Sequence, residues 1–207
     1  MSPATRFDGD AHEARIRVLD AAEALFASRG FDSVTLRDIS TELGLTHASL
    51  YYHFPGGKEE LFAEVMERNI RRHGEGLAAA MAAGGPSLRG RLEGAASWLL
   101  SQPPMDLIRM AQTDLPALPP ERARRLMDLV YELILKRLQS ELEASRAKGE
   151  VGACDPGLLG GALLGLIESL HSVPVEIVGR DLFAMARELI GILLKGIDYK
   201  EEYYAGS

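Results

Sequence analysis

Between Thr46 and Phe54 the chain sets out Thr46-His47-Ala48-Ser49-Leu50-Tyr51-Tyr52-His53-Phe54, a run dense in imidazoles, phenols and hydroxyls. At helical spacing Leu50 and Phe54 fall on one side as anchors. His47, Ser49, Tyr51, Tyr52 and His53 then cover a surface too small to bury them all. Such groups on a thin, exposed helix can bond phosphate oxygens or base edges, and Ala48 can touch a thymine methyl. Composition by itself equally allows a solvated helix with a few packed aromatics. Other chemistries find no support. His12, His47, His53, His73 and His171 form no i, i+4 pair and no ligand cluster, so no metal is expected. No Ser, Cys and His arrangement reads as a nucleophile, and no glycine-rich loop follows a strand. The expectation is a protein without catalytic centre or cofactor. The single cysteine, Cys154, cannot form an internal disulfide, which fits a reducing cytoplasm; it reads as a small packing residue.

The elements that must position this run are short helices. Thr35 is a good N-cap with Asp38 three residues on, the spacing of a capping box, and predicts a helix over Leu36–Leu43. Gly44 ends it and Leu45 packs into the bend. Thr46 caps a second helix over His47–His53, which Phe54-Pro55-Gly56-Gly57 stops. Two short helices joined at a glycine make a helix-turn-helix. Before them, Ile16, Leu19, Ala22 and Phe26 recur at helical spacing, predicting a helix over Glu13–Ser28. Gly30 supplies its left-handed cap, and Phe31 and Val34 pack back on it. Residues 1–11 are polar and patternless and read as a mobile tail.

The stretch Val34-Thr35-Leu36-Arg37-Asp38-Ile39-Ser40, with Leu43-Gly44-Leu45, Ser49-Leu50-Tyr51-Tyr52-His53-Phe54 and Lys58-Glu59-Glu60-Leu61, resembles the N-terminal domain of the tetracycline-repressor (TetR) family. The resemblance covers residues 13–62. It implies that Thr35 contacts a phosphate and that Arg37 reaches a base edge or a phosphate. It implies that His47, Ala48 and Ser49 face bases, that Tyr51, Tyr52 and His53 meet phosphates or bases, and that Lys58 clamps the backbone. The chain departs from the family pattern at Gly56-Gly57, where the family often has a single residue or a different small one. Double-stranded operator DNA and a small-molecule effector are the partners the resemblance implies.

Charge runs the other way. The net formal charge is -7. The first 58 residues hold six basic and eight acidic residues, a balance of -2. DNA binding must therefore rest on local placement of donors and not on a broad basic field.

Lys58 opens a long helix to about Met81, broken by Gly84-Gly85-Pro86. Further helices are predicted over Leu88–Ser101, Met105–Thr113, Glu121–Lys148, Asp155–Ser172 and Arg180–Tyr199. No strand pair or repeat is evident. The predicted fold is all-α, about nine helices: an N-terminal three-helix helix-turn-helix domain over residues 1–57, and a helical ligand-binding and dimerisation domain over 58–207. The last two helices are apolar over a surface wider than one stripe, so each must bury a second side. The resemblance implies a homodimer built from them, with Gly161, Leu163, Gly165, Leu166, Leu182, Leu189 and Leu193 at the interface; a monomer with two buried helices is the alternative. The middle helices carry Met66, Trp98, Met105, Ile108, Met110, Met127 and Tyr131, suited to an apolar or amphipathic effector, with Arg109 and His171 as polar contacts. No run of about 18 apolar residues predicts a membrane span. No signal peptide is evident, and a cytoplasmic location is expected. The reading is a ligand-responsive repressor. A helical small-molecule-binding protein or enzyme without DNA binding, and a DNA-bound activator or architectural protein without an effector, remain as alternatives.

Overall fold

The computed structural model describes residues 3–105 and 107–197, without the side chains of residues 3–11, 108 and 197. Every regular element among them is helical: α1 (Pro3–Ser33), α2 (Leu36–Leu43), α3 (His47–His53), α4 (Gly57–Ala83), α5 (Leu88–Ser101), α6 (Leu107–Arg109), α7 (Pro120–Val130), α8 (Lys136–Ala147), α9 (Pro156–Ser169), α10 (Val175–Val178) and α11 (Leu182–Ile197). The all-α expectation holds. No helix among the described residues is long and apolar enough to cross a membrane.

Local signals placed most ends correctly. Thr35 and Asp38 form the capping box, Gly44 takes φ 64° as the left-handed cap of α2, and Thr46 caps α3. Asp155 caps α9 by accepting from the Gly157 and Leu158 amides at 2.9 and 3.0 Å, with Pro156 in the first turn. The helix predicted over Glu121–Lys148 is present as a continuous helical run over residues 120–147, with a π turn at Tyr131–Leu135. Three expectations need correction. The first helix begins at Pro3, not Glu13; a proline whose φ suits the first helical position starts it. The helix predicted over Met105–Thr113 starts at Leu107 and widens into a π turn at Met110–Asp114. Finally, α10 was not foreseen, being one turn of four residues.

The chain forms two compact units. The first comprises the described residues up to Asn69 together with Leu107–Met127. Its core is built from Val18, Ala22 and Phe26 of α1, Ile39 of α2, Leu50 of α3, Leu61, Phe62 and Val65 of α4, and Met110, Leu115 and Leu126. Phe26 and Phe31 meet Phe62 at ring-centroid distances of 5.0 and 4.8 Å. Gly30, at φ 76° and ψ 170°, breaks α1 and turns Phe31 inward. Phe31 and Val34 are both buried, as expected.

The second unit comprises residues 70–105 and 128–197. Here α8 packs on α9 and α5 on α11. The glycines have different uses. A methyl at Gly160 would lie 3.3 Å from the Leu138 Cβ of α8, so that glycine lets two helices approach closely. Gly161 and Gly165 face open space. On the other side, the backbones of α4 and α5 touch at Gly84, Gly90 and Gly94. The π turn also has a seat: a methyl at Gly74 would stand 2.8 Å from the Leu133 Cβ and 3.2 Å from its carbonyl oxygen.

Candidate functional site

The exposed end of the first unit is made by α2 and α3. Thr35 Oγ1 accepts from the Asp38 amide at 3.2 Å, and Asp38 Oδ2 accepts from the Thr35 amide and hydroxyl at 2.8 and 2.6 Å. These bonds, the Thr35 hydroxyl first and its amide second, hold the Asp38 carboxyl below the usual carboxylate range. Thr46 Oγ1 accepts from the Ser49 amide at 3.2 Å and fixes the start of α3. Leu50 and Phe54 are both 0% exposed, as anchors must be. The Arg15 guanidinium lies 4.6 Å from the Phe54 ring centroid and pairs with Glu64 of α4; that hydrogen bond raises its pKa and keeps it charged.

With α3 pinned from beneath, its outer face is bare. Tyr52 is 80% and Tyr51 45% exposed. His47 and Ala48 are exposed, Ser49 and His53 half-buried, and Thr35 and Arg37 exposed on the adjoining end of α2. The His47 and Tyr51 rings meet edge-on at 5.1 Å, and Tyr52 and His53 at 5.3 Å. The structure thus brings the nine residues expected to meet nucleic acid into one unit. Lys58 is the displaced one. Its Nζ sits 4.1 Å from the Phe31 ring centroid and donates to the Asp32 carbonyl at 3.4 Å. The Gly56-Gly57 departure has a local solution: Gly57 takes φ 70°, and the Gly56 amide donates to Glu60 Oε2 at 2.5 Å.

The residues expected to bind an effector divide between the units. In the first, Met110 is buried, Met66 half-buried and Met127 41% exposed. Arg109 Nε stands 3.7 Å from Asp114 Oδ2, and the Ile108 side chain lies outside the described residues. In the second, Met105 is buried and its amide donates to Glu168 Oε2 at 2.9 Å. Trp98 lies against Gly76 of α4, its indole closing over a helix face that has no side chain. The Trp98 Nε1 and His171 Nε2 atoms are buried without a hydrogen-bond partner. Tyr131 is 45% exposed. Met127 and Tyr131 are therefore surface residues, not walls of an enclosed cavity. The inward positions are Leu126 and Val130, four apart, and Met127 and Tyr131 sit one step of about 100° round the helix.

A similar sorting applies to the last helices. Leu163, expected at an interface, is 2% exposed and packs inside its own unit with Leu164 and Ile167. The face of α9 that remains open carries Leu158 (74% exposed), Ala162, Gly165 and Leu166 (36%). On α11, Ile192 is 60% exposed, while Leu182, Leu189 and Leu193 are half-buried. Among the described residues no group of three or more His, Cys, Asp or Glu is placed to hold a metal ion. Asp114, a buried carboxylate that accepts from the Phe31 amide at 3.3 Å, was not singled out from sequence. Nothing near it in the chain marks it, because its partner is 83 residues away.

The family model for bacterial regulatory proteins of the tetR family matches residues 18–65. The regulator LmrA of Bacillus subtilis is 44% identical over 54 residues, 26% of this chain and 29% of LmrA. The repressor KstR2 of Mycobacterium tuberculosis is 39% identical over 61 residues, 30% of each chain. The chain thus spans less than a third of the length of these curated relatives. Over a longer span, the fold is similar to that of AibR, solved in complex with isovaleryl coenzyme A and operator DNA, with TM-score 0.70 over 87% of this chain and 97% of AibR at 18% identity.

Proposed function

We propose that this chain, whose residues 18–65 match the family model for bacterial regulatory proteins of the tetR family, is a transcriptional repressor that binds operator DNA as a homodimer and is released by a small apolar or amphipathic effector. The observation that carries this reading is the bare outer face of α3, with Tyr52 80% exposed above a Leu50 and Phe54 base that is 0% exposed. A helix held in this way is thin enough to enter a major groove. His47, Ala48, Ser49 and Arg37 read bases. Thr35 and Lys58 hold phosphates, and Tyr51, Tyr52 and His53 meet phosphates or bases, in keeping with the hydroxyls, imidazole and ammonium they offer. DNA contact belongs to residues 1–57 with Lys58, and effector binding and dimerisation to 58–207.

The open faces of α9 and α11 supply the dimer. Leu158, Leu166 and Ile192 are large apolar groups left in water by a single chain, and a two-fold axis through them suits a reader of two half-sites about 34–36 Å apart. The effector is amphipathic because the second unit buries Trp98 Nε1 and His171 Nε2 without partners. Buried polar atoms are normally satisfied, and a ligand with hydrogen-bonding groups would satisfy these. Release requires the effector to prefer the conformation that does not bind operator, since equal affinity for both shifts nothing. The acidic balance of the first 58 residues, -2, favours a second reading: a helical small-molecule-binding protein without DNA binding.

Fluorescence anisotropy with duplexes tiling the DNA upstream of its own gene separates the two. The repressor reading predicts one duplex bound far more tightly than scrambled DNA, with affinity falling steeply as salt rises. Equal, weak binding to every duplex would sink it.

A further inference from the structure

We propose that Asp114 is a positioning residue for DNA binding: it pegs the Gly30–Phe31 bend so that the Phe31 ring holds Lys58 ready for a phosphate. The proposal rests on the reading that Lys58 contacts the DNA backbone. Four observations within the first unit carry it. Asp114 is 3% exposed, yet it lies in a π turn of a segment far along the chain from α1. Its Oδ1 accepts from the Phe31 amide at 3.3 Å. Its Oδ2 is 3.7 Å from Arg109 Nε, and a methyl on Gly30 would lie 3.6 Å from an Arg109 terminal nitrogen, so the ion pair straddles the bend. The ring of that same Phe31 carries Lys58 Nζ at 4.1 Å from its centroid.

The chain of cause is short. Gly30 breaks α1 at ψ 170°, so the Phe31 amide has left the helical ladder and needs an acceptor from elsewhere. A buried carboxylate provides one, and a hydrogen bond to a charged group is stronger and more directional than a neutral one. Fixing the Phe31 backbone fixes its ring, which is wedged between Phe26 and Phe62 at 6.2 and 4.8 Å. The ring face then attracts the Lys58 ammonium. An ammonium has three donors. One goes to the Asp32 carbonyl at 3.4 Å, and the others can donate to a phosphate oxygen without leaving the ring. A long side chain already held in place loses less freedom when it binds. Without the peg, the bend drifts and Lys58 becomes a freely rotating chain that binds phosphate poorly.

The test is a double-mutant cycle on the full-length dimer, read as operator affinity and salt slope. Asp114→Leu fills the same buried space without an acceptor, and Asp114→Asn keeps the acceptor without the charge. Helicity and thermal melting are measured on each, and Asp114→Ala is substituted if the leucine variant does not fold. Lys58→Ala is expected to lower the salt slope by about one unit per half-site. Asp114→Leu should weaken operator binding at least about threefold and lower the slope by the same amount, as losing one phosphate contact does. Asp114→Asn should restore most of both. In the Lys58→Ala background, Asp114→Leu should cost almost nothing further. The proposal is overturned if Asp114→Leu leaves the slope unchanged, or weakens binding equally with and without Lys58. If Lys58→Ala alone changes neither affinity nor slope, the Lys58 contact itself is wrong. If the wild type prefers no duplex, the repressor reading fails first.

Discussion

Replacing Gly94 by alanine tests how closely α4 and α5 approach in the second unit. Two terms compete. In a helix interior, glycine to alanine gains about 1 kcal/mol of propensity. Against it, the new methyl would overlap the carbonyl oxygen of Ala80 and stand 3.0 Å from its carbonyl carbon, where ordinary contact starts near 3.4 Å. The obstacle is backbone, so no side-chain rotation relieves it, and the two helices must separate. Gly84 and Gly90 form the same kind of contact on this seam, so a shift at Gly94 disturbs them too. Overpacking of this sort costs roughly 1–3 kcal/mol and more where backbone must move. The overlap wins, and we expect a net loss of about 1–2 kcal/mol. For a chain of this size that lowers Tm by roughly 2–8 °C. Scanning calorimetry at matched protein concentration reads it, since dimers melt at concentration-dependent temperatures. Gly161→Ala is the control within the same unit: nothing lies within 4 Å of its added methyl in one chain, so the proposed dimer predicts that any loss there comes from its interface. A Gly94→Ala protein that melts at or above the wild-type temperature would refute the close approach of these two helices.

Other outcomes follow from the same contacts. Light scattering should give twice the 22.5 kDa chain mass, and Leu166→Glu, which places a charge on the open face of α9, should shift the protein toward monomer or aggregate; a wild-type monomer at micromolar concentration contradicts the dimer. Thr46→Ala removes the acceptor of the Ser49 amide, 3.2 Å away, and should cost about 1 kcal/mol by denaturant titration while weakening operator binding through a frayed α3. Arg37→Ala and His47→Ala should relax base preference in a panel of mutated operators, whereas Tyr52→Ala should weaken all duplexes alike; identical profiles for the three would undo that assignment. The Asp38 carboxyl is held low by its bonds from Thr35, so its share of stability is fully present above the unfolded carboxylate pKa of about 3.9 and is lost as pH falls through the lower folded value. Acid titration of Asp38→Asn by circular dichroism should therefore show a shallower loss of helicity below about pH 4 than the wild type.

Much of the end made by α2 and α3 was legible from residue types, because its determinants act within a turn or two of chain. The Thr35 and Asp38 pair closes over three residues, Gly44 supplies one left-handed turn, and Leu50 and Phe54 are four apart on the side of α3 that must be covered. Those signals fix two short helices and leave Tyr51 and Tyr52 outside whatever the rest of the chain does. The wide apolar surface of α9 likewise showed that the helix needs two buried sides. It could not say which residues serve which side. That depended on where α8 lies: Gly160 closes on Leu138, Leu163 turns inward, and Leu158 and Leu166 are left in water. In the same way Leu126 and Val130 took the inner face of α7 and put Met127 and Tyr131 on the surface. The seat of Lys58 and the Asp114 peg were beyond any local rule. A carboxylate in Gln112-Thr113-Asp114 looks like an ordinary solvated loop residue until the chain folds back and sets it against an amide 83 residues away, freed from its helix by Gly30. Caps, turns and periodicity are properties of neighbours in sequence; which of several apolar faces is buried, and which charge meets which orphaned amide, is decided by packing between distant segments.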